Sequence, residues 1–248
     1  MHELCLTYMT RKLKINERVP LSDLVPHFGA PLKTAPLLWT AYQRSRMVYG
    51  FVIHTVGATL DETPNSSRVL YSKVFNYDML DQKQNSDEQY LHNERIKRKQ
   101  RIAIVARQAE SMCLLSRQAS GRPASDFIVH PTDEPIYLLE EDVGVFSLPP
   151  GDVFTSEKIV LWVSVFSLGF SLICDSQENL TLAECTLRTV VKYLVDSLKL
   201  LTNSSNVVLK ADKIEMSLDK FMPHGQLLFL NHQATQALEK ELSNSMPL

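Results

Sequence analysis

The groups that could do chemistry in this chain are scattered. It has seven histidines and four cysteines, yet no CxxC occurs and no Cys/His set has the spacing of a zinc site. No two histidines stand four apart, and the HExxH, GxSxG, GxGxxG and Walker patterns are absent. With eight glycines in 248 residues, there is little from which to build a phosphate-cradling loop. The nearest thing to a catalytic pair is His224 with Cys174 or Cys185. Both cysteines fall in apolar patterns that assign them to sheet and helix interiors, where a thiol behaves as a small hydrophobe. A thiol enzyme would need a reactive, low-pKa cysteine; the pattern points instead to reduced, structural thiols in the cytosol. His54, alone in an apolar strand, reads as a hydrogen-bonded core residue. The reading is of a non-enzymatic chain with no metal and no cofactor.

Charge gives one local signal. The net charge is −2, so no global field draws nucleic acid, and no basic face with interleaved aromatics occurs. Arg95, Lys97, Arg98, Lys99 and Arg101 form a basic run at the start of a helix. Such a run can meet anionic lipid headgroups or an acidic partner. Because its charges do not keep to one face, a solvated helix start is the preferred reading.

Residues Glu157–Leu201 organise the elements. Ile159–Cys174 is nearly all apolar but shorter than the roughly 20 residues of a membrane-spanning helix. Its Ile, Val, Phe and Trp favour strands. It reads as two strands buried on both faces, Lys158–Phe166 and Phe170–Cys174, reversed at Ser167-Leu168-Gly169, where the glycine would supply a positive φ. Asp175–Asn179 is a polar turn. Thr181 and Glu184 spell a capping box, with Leu180 and Cys185 at the staple positions. Leu187, Val190, Val191, Leu194, Leu198 and Leu201 recur at helical spacing, a stripe that covers the sheet.

Along the rest of the chain, residues 1–46 carry Pro20, Pro26, Pro31 and Pro36 and no periodicity. They read as an N-terminal extension or an upstream start, with no apolar stretch of a secretory signal. The three N-x-S/T triplets, at Asn65, Asn179 and Asn203, are then chance matches. Met47–Val56 and Arg68–Phe75 make an antiparallel hairpin. A helix runs from about Tyr90 to Ser120, with Ile102, Val105, Ala106, Ala109, Met112 and Cys113 inward and Gly121-Arg122-Pro123 as its stop. A fifth, edge strand is expected in Ala124–Ser156, at Phe127–Val129 or Ile136–Leu139. Glu134–Leu139 also spells an acidic dileucine signal but reads as strand packing. Val207–Met222 reads as one helix with Val208, Ala211, Ile214 and Leu218 inward, stopped by Pro223 and Gly225. Leu227–Leu230 is an apolar link, and Gln233–Ser243 a last helix.

This order of elements resembles the longin fold. Three segments carry a closer resemblance, to the sigma (small) subunit of the fifth adaptor-protein vesicle coat. They are R-Q-A-E-S-M-C-L-L-S-R-Q-A-S-G-R-P (Arg107–Pro123), S-L-G-F-S-L-I-C-D-S-Q-E-N-L-T-L-A-E (Ser167–Glu184) and F-M-P-H-G-Q-L-L-F-L-N (Phe221–Asn231). The resemblance implies an α/β (α+β), longin-like domain over residues 47–248: a five-stranded, mainly antiparallel sheet flanked by helices on both faces. It implies a heterotetramer with large zeta and beta subunits and a medium mu subunit, this chain packing on a large one. It further implies association with spatacsin and spastizin. The complex would sit peripherally on late endosomes and lysosomes, cytoplasmic otherwise, and act in retrieval from late endosomes to the Golgi.

Other sigma subunits help bind acidic dileucine signals through an apolar pocket and a basic residue early in the second strand. The resemblance puts Arg68 at the basic position and Val208 and Leu209 at the pocket. Asp61 and Glu62, just before, would weaken attraction for an acidic peptide. The alternatives are a longin-domain regulator of a small GTPase and, as above, a thiol enzyme.

Overall fold

The apolar run folds back on itself, and the other elements are arranged about it. The computed structural model describes residues 48–57, 68–75, 88–121, 141–151, 153–202 and 205–245. Five strands make one sheet: β1 (Val48–Thr55), β2 (Val69–Val74), β3 (Glu141–Leu148), β4 (Lys158–Val165) and β5 (Leu168–Asp175). Their spatial order is β2-β1-β5-β4-β3, and every pairing is antiparallel. Helices lie on both faces, the expected longin-like α/β architecture. The reading of residues 1–46 as an extension falls outside the described residues.

Helix α1 (Glu88–Ala119) covers one face. Ile102, Val105 and Ala106 pack on Val52, Val160 and Ile173; Ala109 and Cys113 pack on Val56 and Trp162. Helix α2 (Leu180–Leu198) covers the other, burying Leu187, Val190, Val191, Leu194 and Leu198 against Phe51, Ile53, Val163, Phe170 and Leu172. Each such side chain contributes about 1.5–3 kcal/mol on leaving water. On this face, too, lie short α3 (Ser205–Leu209), α4 (Ala211–Phe221) and α5 (His232–Ser245). Lys73 on β2 ties α4 down through Glu215 (3.4 Å) and Asp219 (2.7 Å).

Several expectations are corrected. The edge strand is Glu141–Leu148; the pieces Phe127–Val129 and Ile136–Leu139 lie outside the described residues. Its E-D-V-G start hides a strand because the buried carboxylate and the glycine each answer a neighbour. Asp142 meets an arginine from α1. Gly144 lies opposite Trp162, where a Cβ would come within 2.4 Å of the indole. The β4–β5 turn is only Phe166-Ser167, and its positive φ (51°) belongs to Phe166. Gly169 is inside β5 for another reason: it pairs with His54, and a Cβ there would stand 2.3 Å from the imidazole. Helix α2 starts two residues earlier than the capping box predicts. Asn179 is its N-cap, its Oδ1 accepting from Leu182 N at 3.1 Å, while Glu184 turns to Arg188. Asparagine caps as well as serine or aspartate, so it takes the role from Thr181. Cys185 is exposed rather than interior. The helix expected over 207–222 breaks at Lys210 into α3 and α4, which turns Val208 outward while Val207 is buried.

Candidate functional site

Arg68 is the residue just before β2, and the end of β1 holds its backbone. Its N–H donates to Thr55 Oγ1 and its carbonyl accepts from Thr55 N, both at 3.0 Å. Its side chain is exposed. In β2 the register to β1 skips Leu70. This bulge puts Leu70 and Tyr71 together against the core under α2 and α4, while Val69 faces α1.

Helix α3 packs against this strand. Two turns of mainchain geometry mount it. Helix α2 ends at Lys199 in the left-handed region (φ 50°), and a 3₁₀ turn, Leu200–Thr202, follows. Asn206 Nδ2 then donates to Lys199 O (3.1 Å), and Lys210 Nζ donates to Leu198 O (2.7 Å), satisfying carbonyls that the helix end leaves open. Val207 is the buried anchor. Val208 and Leu209 stand 60% and 76% exposed. The structure thus places Val208 and Leu209 as outward apolar groups on a helix fixed against the strand that Arg68 opens. Asp61 and Glu62 lie outside the described residues.

The remaining chemical groups have structural work. His54 is buried in the sheet, Nδ1 donating to Thr55 O at 3.0 Å and Nε2 facing Ser171 Oγ at 3.3 Å. Burial lowers its pKa to about 4, against the smaller opposite effect of the Thr55 bond, so it is neutral at pH 7. Burial pushes the Cys113 and Cys174 thiols up, away from the reactive thiolate.

A buried polar cluster fastens the C-terminal end of α1. Arg117 Nε donates to Asp142 Oδ2 at 2.6 Å, and its Nη2 reaches Ser164 Oγ (3.2 Å) and Phe166 O (3.1 Å). Ser164 Oγ also meets Cys113 Sγ at 3.0 Å. One guanidinium therefore joins α1, β3, β4 and the strained β4–β5 turn. Sequence reading missed this cluster, because Arg117 looks like a solvated charge near a helix end. The signal available was its place on the same stripe as Ala106, Ala109 and Cys113.

Phe229 was also missed. It stands 89% exposed between Leu228 and Leu230, beside a groove of about 250 Å³ along Leu182, Cys185 and Thr189 of α2. The available signal was an apolar link outside any periodicity.

Among the described residues no helix is long and apolar enough to cross a membrane. Comparison with known proteins gives a consistent family. The family model described as AP-5 complex subunit sigma-1 matches residues 47–243. The AP-5 complex subunit sigma-1 of Homo sapiens is 46% identical over 204 residues, covering 81% of this chain and 100% of the relative. That of Mus musculus is 42% identical over 159 residues, covering 63% of this chain and 91% of the relative. A chain of a homology model of the full-length AP-3 complex in a stretched open conformation aligns over 80% of this chain and 95% of its own. Its TM-score of 0.41 at 14% identity is too slight a likeness to argue from.

Proposed function

The chain belongs to the AP-5 complex subunit sigma-1 family, and from that membership we propose that it scaffolds a large subunit in a heterotetrameric coat for retrieval from late endosomes to the Golgi. The partners in this reading are the large zeta and beta subunits and the medium mu subunit, with spatacsin and spastizin associated. The chain acts without catalysis, on the cytoplasmic side of late endosomes and lysosomes, and reaches those membranes as part of the complex. The observation that carries the reading is the 46% identity over the whole length of the human relative. Residues 1–46 lie before the matched region and are proposed to be dispensable for assembly.

Arg68, Val208 and Leu209 are proposed as its contact with an acidic dileucine cargo signal. Val208 and Leu209 support this by being exposed on a rigidly mounted helix, where nothing in the fold asks for apolar side chains.

Affinity purification of the tagged chain from cells, followed by mass spectrometry, tests the assembly. Stoichiometric recovery of two large subunits and a medium subunit is the expected result. Recovery of a second longin protein with a small GTPase, and no large subunits, would overturn it in favour of a GTPase regulator.

A further inference from the structure

Helix α1 is longer than the sheet it covers. Its first buried side chain among those described is Ile102; from His92 to Arg101 none is buried. At 1.5 Å per residue, these ten residues carry the helix about 15 Å before the core begins. Such an overhang gains nothing from packing on the sheet, so its composition answers to something else.

That composition is one-signed. From Arg95 to Arg107 there are six cations (Arg95, Lys97, Arg98, Lys99, Arg101 and Arg107) and no acid. Three of them have local partners: Lys97 with Glu94, Arg101 through Val153 O, and Arg98. Arg95, Lys99 and Arg107 are exposed and make no ion pair among the described residues. At 100° per residue these three, with exposed His92, fall within an arc of about 120°, and the three cations span about 18 Å along the axis. Ile96, 42% exposed, lies within that arc, and Ile104, 37% exposed, beside it. Cations flanking exposed aliphatic groups on a projecting helix are the pattern of a segment that rests in the headgroup layer of an anionic bilayer.

We propose that the exposed face of α1, from its projecting start to Arg107, is a membrane-contact arm that binds anionic lipid through Arg95, Lys99 and Arg107, with Ile96 and Ile104 entering the interface. The inference rests on the adaptor reading for its setting, since a coat subunit works at a membrane surface. The chain's balanced net charge of −2 makes the attraction local to this arm. Each cation near an anionic surface strengthens partition about fivefold, so three together give about a hundredfold. That is too weak to anchor the chain alone and suits a contact that adds to others in a complex.

The test is co-sedimentation of the full chain with vesicles of phosphatidylcholine containing 30 mol % phosphatidylserine, and with phosphatidylcholine alone, at about 0.1 M salt where screening reaches about 10 Å. The triple reversal Arg95→Glu/Lys99→Glu/Arg107→Glu is compared with the same number of reversals elsewhere, Lys192→Glu/Lys220→Glu/Lys240→Glu. The expected result is binding that requires phosphatidylserine and weakens with salt. The α1 reversal lowers it about a hundredfold or more, and the control less than fivefold. Equal binding to both vesicles, or equal loss in both variants, would overturn the proposal. So would an α1 reversal that leaves vesicle binding intact but releases co-purifying adaptor subunits, which would assign this face to an acidic protein partner. Because the vesicle assay needs no other subunit, its failure is separable from failure of the adaptor reading.

Discussion

Removing Asp142 should unfold this domain far more readily than an edge-strand residue normally would. Arg117 and Asp142 are 5% and 3% exposed, and their bond is 2.6 Å long. In Asp142→Ala the guanidinium stays buried beside Ser164 and Phe166 O and loses the Asp142 carboxylate. Breaking one partner of a buried pair costs about 3–5 kcal/mol. For a domain of this size that lowers the melting temperature by about 6–20 °C, at about 2–4 °C per kcal/mol. The double variant Arg117→Met/Asp142→Ala removes both charges and fills part of the space. It should cost only about 1–2 kcal/mol, because no charge of the pair is left buried and Ser164 keeps Cys113. Urea unfolding followed by circular dichroism measures both, and the cycle should show strong coupling. If Asp142→Ala costs less than about 1 kcal/mol, or if the two substitutions simply add, water reaches the guanidinium and the argument fails.

Other substitutions probe the sheet and the exposed corner. His54 has a folded pKa of about 4 against 6.5 unfolded. The unfolded chain therefore binds the proton first, and stability is lost as pH falls from about 6.5 toward 4. The loss is about 2 kcal/mol by pH 5; in His54→Gln this part of the acid sensitivity should vanish from a pH series of denaturation curves. Gly169→Ala would bring its Cβ to 2.3 Å from the His54 ring. It should destabilise by about 1–3 kcal/mol, with partial recovery in Gly169→Ala/His54→Ala by the same assay. Val208→Asp/Leu209→Asp should leave the urea midpoint within the range of surface substitutions, about 0.5 kcal/mol. In the assembled complex it should lower binding to an acidic dileucine peptide, as should Arg68→Glu; unchanged peptide affinity would remove the cargo contact and leave the scaffold role.

Four of the five strands and the two long helices were legible because burial repeats with a period; the edge strand β3 was not. Two apolar faces mark β1, β4 and β5 as central, and the stripes of α1 and α2 name the residues that cover them. What escaped the sequence is where one side chain answers another far away. Gly144 makes room for Trp162, and Gly169 for His54, so neither glycine marks a turn. Asp142 looks like a loop acid until Arg117, twenty-five residues earlier, is brought beside it. Asn179 beats Thr181 to the cap by two positions, a choice that local pattern leaves open. At the candidate site the resemblance supplied Arg68, Val208 and Leu209, whereas periodicity turned Val208 inward. The break at Lys210 leaves Val208 exposed, against the periodicity, and no residue type near it announces a break.

The three segments that carry the family resemblance are largely occupied with holding the fold. Arg107–Pro123 contains Cys113 and Arg117 of the buried cluster. Ser167–Glu184 contains Gly169 and Ser171 around His54, Cys174 in the core and the Asn179 cap. Phe221–Asn231 contains Phe221 and Met222 in the core. It also holds Gly225 (φ 77°), where a Cβ would stand 2.6 Å from Phe75 and 2.8 Å from Val48 O. Substitution at these places breaks packing, whatever the protein is used for. Arg68, Val208 and Leu209 lie outside all three segments, exposed and free of any such duty. So do Arg95 and Lys99, although Arg107 opens the first segment. A fold can be carried between relatives by residues that contact only one another, while the surface that meets cargo or lipid varies around it. It follows that substitutions in the three segments should report on stability and assembly together. Those at the α3 corner and the α1 arm should separate binding from both.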